Sequence, residues 1–224
     1  TKKKKNAIRE SRIASTRNLI ESISKSSKIP KTLISASAVG IYGNRGEETL
    51  TEISSIGTGF LSEATDAWEK EASKAETLPV RLVTLRMGIV LGLGGGALPS
   101  MLPLSKLGLG GPLGKGSQWW PWIHIYDLIG IIRHFLETDA EGAFNATSPY
   151  PTRQKEFSQA LGSALGRPAF IPTPGTILKL GLGEFSSELL YSRRALPERT
   201  LKSGYKFKYT KIESALHDLV SSNK

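Results

Sequence analysis

The sequence contains no cysteine. That excludes disulfides, thiol nucleophiles and thiolate-held metals together, and it fits a reducing, cytoplasmic compartment. Histidine is scarce: His124, His134 and His217 stand far apart and lack accompanying acidic clusters, so the set of about three protein ligands that a catalytic metal needs is missing. No metal is expected. No apolar run approaches the roughly 18 residues of a membrane span, and Lys2 to Lys5 are not followed by the apolar segment of a signal peptide. No membrane partner is expected. Acid is absent over a long stretch: no Asp or Glu lies between Glu76 and Asp127, where Arg81, Arg86, Lys106, Lys115 and His124 stand without a carboxylate.

The formal charge of +10 invites a nucleic-acid reading. Its distribution argues against one. Lys2 to Lys5 form a solvated run, the other basic residues are scattered, and no aromatic-basic interleaving of the RNA-binding kind is present. A basic nucleic-acid-binding module is the weakest of three readings.

Apolar residues make up 39% of the 224, enough for a buried core. Residues 7–26 read as a helix closed by Pro30. Thr32 to Val39 read as a buried parallel strand, residues 58–78 as a helix with Thr58 or Ser62 as cap, and Val80 to Leu91 as a second strand. A Gly92–Gly96 turn leads to a helix over 97–107. A second Gly-rich stretch, Gly108 to Gly116, precedes Trp119 to Ile125 and a helix over 126–137; Ala143 to Ala146 read as a strand. The rhythm is that of an α/β, Rossmann-like doubly wound parallel sheet. Past residue 147 prolines punctuate shorter elements. They include a helix over 153–165 ended by Gly166, a half-exposed strand Tyr205 to Tyr209 and a helix over 211–220. The expected division is 1–147, the sheet domain, and 148–224, a small α+β module.

Gly92-Leu93-Gly94-Gly95-Gly96-Ala97 matches a dinucleotide fingerprint, but the acid expected about 20 residues later is absent. A mobile ligand-edge loop is the better reading. Gly108 to Gly116 with Lys115 suits a phosphate-bearing ligand or, equally, a solvated loop. Ser35 and Ser37 end the first strand ahead of Gly40-Ile41-Tyr42-Gly43, where a hydroxyl reaches a ligand or serves a turn. Trp119, Trp120 and Trp122 read first as core or rim. His124 reads as an acid/base group or a structural histidine.

Taken in order, Ser35-Ala36-Ser37-Ala38 with Tyr42-Gly43, Leu85 to Gly92 with Gly94 to Leu98, Trp122 to Asp127, and Gly142 to Thr147 resemble the extended short-chain dehydrogenases. Gly108 to Gly114, Glu184 to Ser192 and Arg194 to Pro197 narrow the resemblance to atypical, nucleoside-diphosphate-sugar-epimerase-like proteins with an uncharacterised C-terminal domain. The likeness runs from about Ser11 to Leu219. It implies that the family's opening G-x-x-G-x-x-G turn, which holds the cofactor pyrophosphate on a helix N-terminus, lies ahead of the first residue here. The Tyr-x-x-x-Lys pair usual in the family is absent: no tyrosine has a lysine four residues on, and Phe60 and Ala64 stand where the pair would fall.

The resemblance implies NADP, or NAD, as cofactor, with Ser35, Ala36, Arg86, Gly88, Ile89 and Val90 lining it. It implies Ser37, Tyr42 and Glu63 as candidate catalytic groups, and Gly94, Gly95, Lys115, Trp122 and His124 on the substrate side. One reading is an NADP-dependent oxidoreductase or epimerase acting on a nucleotide-sugar or other phosphate-bearing small molecule, with a homodimer as an option. The other is a non-catalytic NADP-binding regulatory protein, linked to division in some relatives.

Overall fold

The computed structural model describes residues 2–183 and 185–221, so Glu184, one end of a segment named above, lies outside them. In chain order the helices are α1 (Lys2–Ser24), α2 (Phe60–Ala72), α3 (Ala97–Lys106), α4 (Ile125–Glu137), α5 (Gln154–Leu165), α6 (Gly175–Leu182), α7 (Phe185–Leu190), α8 (Glu198–Lys202) and α9 (Ile212–Ser221). The strands are β1 (Thr32–Ala38), β2 (Thr49–Leu50), β3 (Arg81–Met87), β4 (Ile89–Leu91), β5 (Trp119–Trp120), β6 (Trp122–His124), β7 (Gly142–Ala146), β8 (Thr152–Arg153) and β9 (Arg194–Ala195).

Among the described residues the main sheet runs β1-β3-β7, all parallel. Parallel neighbours need crossovers, and α2 with the chain through α4 supplies them. The register puts Ser37 beside Arg86 and Arg86 beside Asn145, so three polar side chains share one rung near the C-terminal edge. Along β1 the residues alternate: Ser35 and Ser37 are buried whereas Ala36 is exposed, as a period of two requires. One core joins Val83, Leu85 and Phe144 of the sheet to Leu128, Ile131 and Phe135 of α4. A second gathers Leu91, Trp120, Trp122, Phe157, Leu161 and Leu216.

Three details differ from the sequence reading. The strand expected over Val80 to Leu91 breaks at Gly88, because β4 leaves the main sheet to pair with β6. A Cβ on Gly88 would lie 2.6 Å from the Pro121 carbonyl oxygen, so the glycine is set by backbone packing. Helix α2 takes Gly59 as its cap, while the Ser62 hydroxyl donates to the Gly40 and Thr58 carbonyls. Tyr205 to Tyr209 form no strand: the amides of Lys208 and Tyr209 donate to the Asp127 carboxylate at 2.8 and 2.9 Å. Two charge-assisted bonds replace a ladder there. Helix α5 ends as read, on Gly166 at φ 65°, the left-handed conformation glycine adopts without strain.

Candidate functional site

At the C-terminal ends of β1 and β3 the chain leaves an open cleft of about 440 Å³, the edge where open α/β sheets take ligands. Ala36, Ser37 and Ala38 form one wall and Met87, Gly88 and Val90 another; α2 contributes Ala64 and Trp68, and α1 contributes Arg12. Arg12 lies over the Trp68 ring at 5.0 Å, and the Trp68 indole donates to Thr16 at 2.9 Å. These contacts fix the two helices beside the opening. The small side chains at 36, 38 and 64 leave room for a flat ring. The volume falls in the usual range for a cofactor or small-molecule site, about 300–1,000 Å³.

Beside the cleft lies a closed polar network. Arg86 donates from Nε and Nη2 to the two Glu69 carboxylate oxygens at 2.9 and 2.8 Å. Its Nη1 donates to the Tyr42 hydroxyl and to the Glu52 carbonyl, both at 3.1 Å. Tyr42 in turn donates to Asn145 Oδ1 at 2.7 Å. Asn145 is held by its amide on Glu52 and its side-chain nitrogen on the Leu196 carbonyl, each 2.9 Å. Ser37 donates to Glu69. Burial works against the Arg86 charge, yet the Glu69 carboxylate and the Tyr42 hydroxyl keep its pKa above the usual arginine value. Burial pushes the Tyr42 pKa up, with Arg86 pulling the other way, so the phenol stays protonated.

The three candidate catalytic residues are therefore not gathered at one reacting point. Ser37 and Tyr42 are 1% exposed, and their hydroxyls are committed to Glu69 and Asn145. Glu63 is exposed near the start of α2; six residues from Glu69, it points about 120° away around the helix. Glu69, not Glu63, is the carboxylate that α2 turns inward. Sequence reasoning missed it along with Glu52 and Asn145, although Ser62, Thr65, Glu69 and Ala72 share one helical face. The other three of that set are buried, so an acid in their stripe was the available signal.

Of the expected cofactor residues, Ala36, Gly88 and Val90 line the cleft. Ser35 is buried on the same face of β1 as Ser37 and is not part of the cleft lining, Arg86 points into the network, and Ile89 packs against the second core. On the expected substrate side, Trp122 is fully buried and donates to Thr152 at 3.1 Å, so it is core. Gly94 and Gly95 are exposed with open space around them. Lys115 lies apart, with Gly114 and Ser117, on a polar recess of about 430 Å³. Among the described residues no group of three or more His, Asp or Glu is placed to hold a metal, and no helix is long and apolar enough to cross a membrane.

Replacing Tyr42 by phenylalanine tests whether its hydroxyl is structural. The expected outcome is a loss of about 1–3 kcal/mol in urea unfolding, since Asn145 and Arg86 lose a buried partner, with nicotinamide affinity unchanged. A stable variant with lost affinity would place the hydroxyl on the ligand instead.

His124 also takes a structural role. Its Nδ1 accepts from the Tyr126 amide at 3.0 Å and caps α4, while its ring stacks on Tyr209 at 3.9 Å. Nε2 is buried without a hydrogen bond, with Asp218 Oδ2 at 3.4 Å. Burial lowers its pKa; Asp218 and Asp127 oppose that and Lys208 adds to it. The unfolded chain, with a histidine pKa of about 6.5, then binds the proton more readily than the folded one. Stability from neutral His124 is fully present above about pH 6.5 and is lost as pH falls from that value through the lower pKa of the folded state. Melting temperatures measured across this window should show the decline. His124→Asn, which keeps a capping oxygen, should flatten it.

The NAD dependent epimerase/dehydratase family profile matches residues 1–147, and a domain of unknown function, DUF1731, matches residues 173–219. Epimerase family protein YfhF of Bacillus subtilis is 40% identical over the whole of this chain and 74% of its own length. The crystal structure of human epimerase family protein SDR39U1 with NADPH superposes with a TM-score of 0.93 at 34% identity, over 99% of this chain and 76% of that one. A nucleoside-diphosphate sugar epimerase from Corynebacterium glutamicum gives 0.79 at 32% identity, over 99% of this chain and 44% of that one. The chain belongs to the NAD dependent epimerase/dehydratase family.

Proposed function

We propose that the cleft at the β1 and β3 edge holds the nicotinamide end of NADP, and that the protein binds this cofactor without the family's tyrosine–lysine proton relay. The cleft supports the first half: it is open, of suitable volume, and walled by Ala36, Ala38 and Ala64. The human relative, similar over nearly the whole chain, is described with NADPH. The second half rests on one observation, that the Ser37 and Tyr42 hydroxyls are buried and hydrogen-bonded within the protein. When bound, the cofactor supplies hydride chemistry. Ala36 and Val90 then bound the space beside its ring, while Trp68 and Arg12 close the cleft from the helices.

The second reading is an oxidoreductase or epimerase acting on a nucleotide-sugar or other phosphate-bearing molecule. The recess at Gly114, Lys115 and Ser117 favours it, because an exposed lysine beside glycine backbone suits a phosphate. Loss of reduced-nicotinamide absorbance, followed with a panel of nucleotide-sugars, separates the two. The first reading expects none above the rate without protein. Substrate-dependent oxidation that Lys115→Ala abolishes would establish the second.

A further inference from the structure

Two acid-free stretches, residues 97–115 and 157–183, meet along one seam. Gly114 N donates to the Thr173 carbonyl at 2.8 Å, and Thr173 N donates to the Pro112 carbonyl at 2.7 Å. A Cβ on Gly108 would touch the Pro168 ring at 3.2 Å, so the two segments stay in contact along their length. Large apolar side chains stand in solvent on both sides. Leu180 is 90% exposed, Phe170 74% and Leu107 73%, with Leu104, Leu109 and Ile177 at half or more. Between them a cavity of about 140 Å³ opens, with Leu104, Leu109 and Leu178 in its lining. Single exposed apolar residues are ordinary on a protein surface; a set grouped around a recess marks an interaction site.

Charge narrows the occupant. Lys106, Lys115, Arg167 and Lys179 on these stretches are exposed, and among the described residues none has an ion-pair partner. We propose that the seam docks an acidic amphipathic helix of a partner protein, one apolar anchor entering the cavity and its carboxylates facing Lys106, Arg167 and Lys179. The inference is independent of the cofactor reading. A second copy of this chain is disfavoured, since a self-complementary contact would oppose lysines to lysines. The cavity is too small for a nucleotide-sized ligand, which needs about 300 Å³ or more, but it suits one side chain. That recess also distinguishes a helix from a lipid surface, which meets a protein without a single anchoring side chain. Ile177 and Leu180, three residues apart on α6, provide the ridge against which a second helix packs.

The test uses the full-length protein and a fluorescein-labelled peptide of about 18 residues, with leucines at helical spacing and glutamates elsewhere. Anisotropy is expected to rise saturably. Leu180→Asp and Phe170→Asp, both at exposed positions, should each weaken binding about tenfold or more without changing the melting temperature. Lys106→Glu with Lys179→Glu should weaken binding of this peptide and strengthen binding of its lysine counterpart. Absence of saturable binding, or binding indifferent to these changes, would overturn the proposal. So would sedimentation with phosphatidylglycerol vesicles that depends on Leu180 and Lys179 in a protein that ignores the peptide; that outcome assigns the seam to a membrane surface.

Discussion

Arg86→Met is expected to destabilise the folded protein by about 3–5 kcal/mol, the usual cost of leaving one partner of a buried ion pair behind. Arg86 and Glu69 are 11% and 16% exposed at the side chain, so water offers little compensation. Methionine fills most of the volume but removes four hydrogen bonds at once: two to Glu69, one to Tyr42 and one to the Glu52 carbonyl. The effect extends beyond one pair because Arg86 stands on the rung shared by Ser37 and Asn145. It ties the ends of all three strands to α2. Urea unfolding would read it as a midpoint drop of about 1 M or more, taking a slope of about 2–3 kcal/mol/M. Lysine at 86 keeps the charge without the paired geometry and should fall between. Adding Glu69→Gln to Arg86→Met should recover part of the loss, since the stranded charge is then gone. A cost under about 1 kcal/mol, the range of an exposed pair, would contradict the account of this network.

The second large effect concerns binding. Ala36 is exposed on the cleft wall of β1, so Ala36→Trp places an indole in the space assigned to the nicotinamide. The NADPH dissociation constant is expected to rise at least about a hundredfold, or about 2.7 kcal/mol. Stability should stay within about 0.5 kcal/mol, as for other exposed positions. Ala36→Ser adds one atom and should leave affinity nearly unchanged. The pair of variants separates a filled cleft from a damaged strand. A protein with tryptophan at 36 that still binds NADPH tightly would move the cofactor elsewhere.

The strands of the main sheet were legible because a buried parallel strand needs a short, β-branched, apolar run, and 32–38 and 81–87 supply two. Helices α2, α4, α5 and α9 were legible from their apolar faces. What local pattern could not give was the partner chosen at long range. Tyr205 to Tyr209 alternate as a strand does, yet Asp127, about eighty positions earlier in the chain, takes their amides. Gly88 breaks its strand because Pro121 passes against it. The site divides in the same way. The cleft positions Ala36, Gly88 and Val90 were named through the family resemblance alone. The commitments of Ser37 and Tyr42 depend on Glu69 and on Asn145, which lies 103 residues from Tyr42. Family likeness pointed to these hydroxyls; only packing revealed that they are already in use.

The most direct test is an NADPH titration of the full-length protein, followed by energy transfer from tryptophan to the reduced nicotinamide. Trp68 lines the cleft, whereas Trp120 and Trp122 are buried in the second core. Saturable transfer is expected, lost in Ala36→Trp and strongly reduced in Trp68→Phe, while directly excited nicotinamide fluorescence still reports binding to the Trp68→Phe protein. Absence of saturable transfer, or transfer indifferent to both substitutions, would contradict the assignment of this cleft to the cofactor.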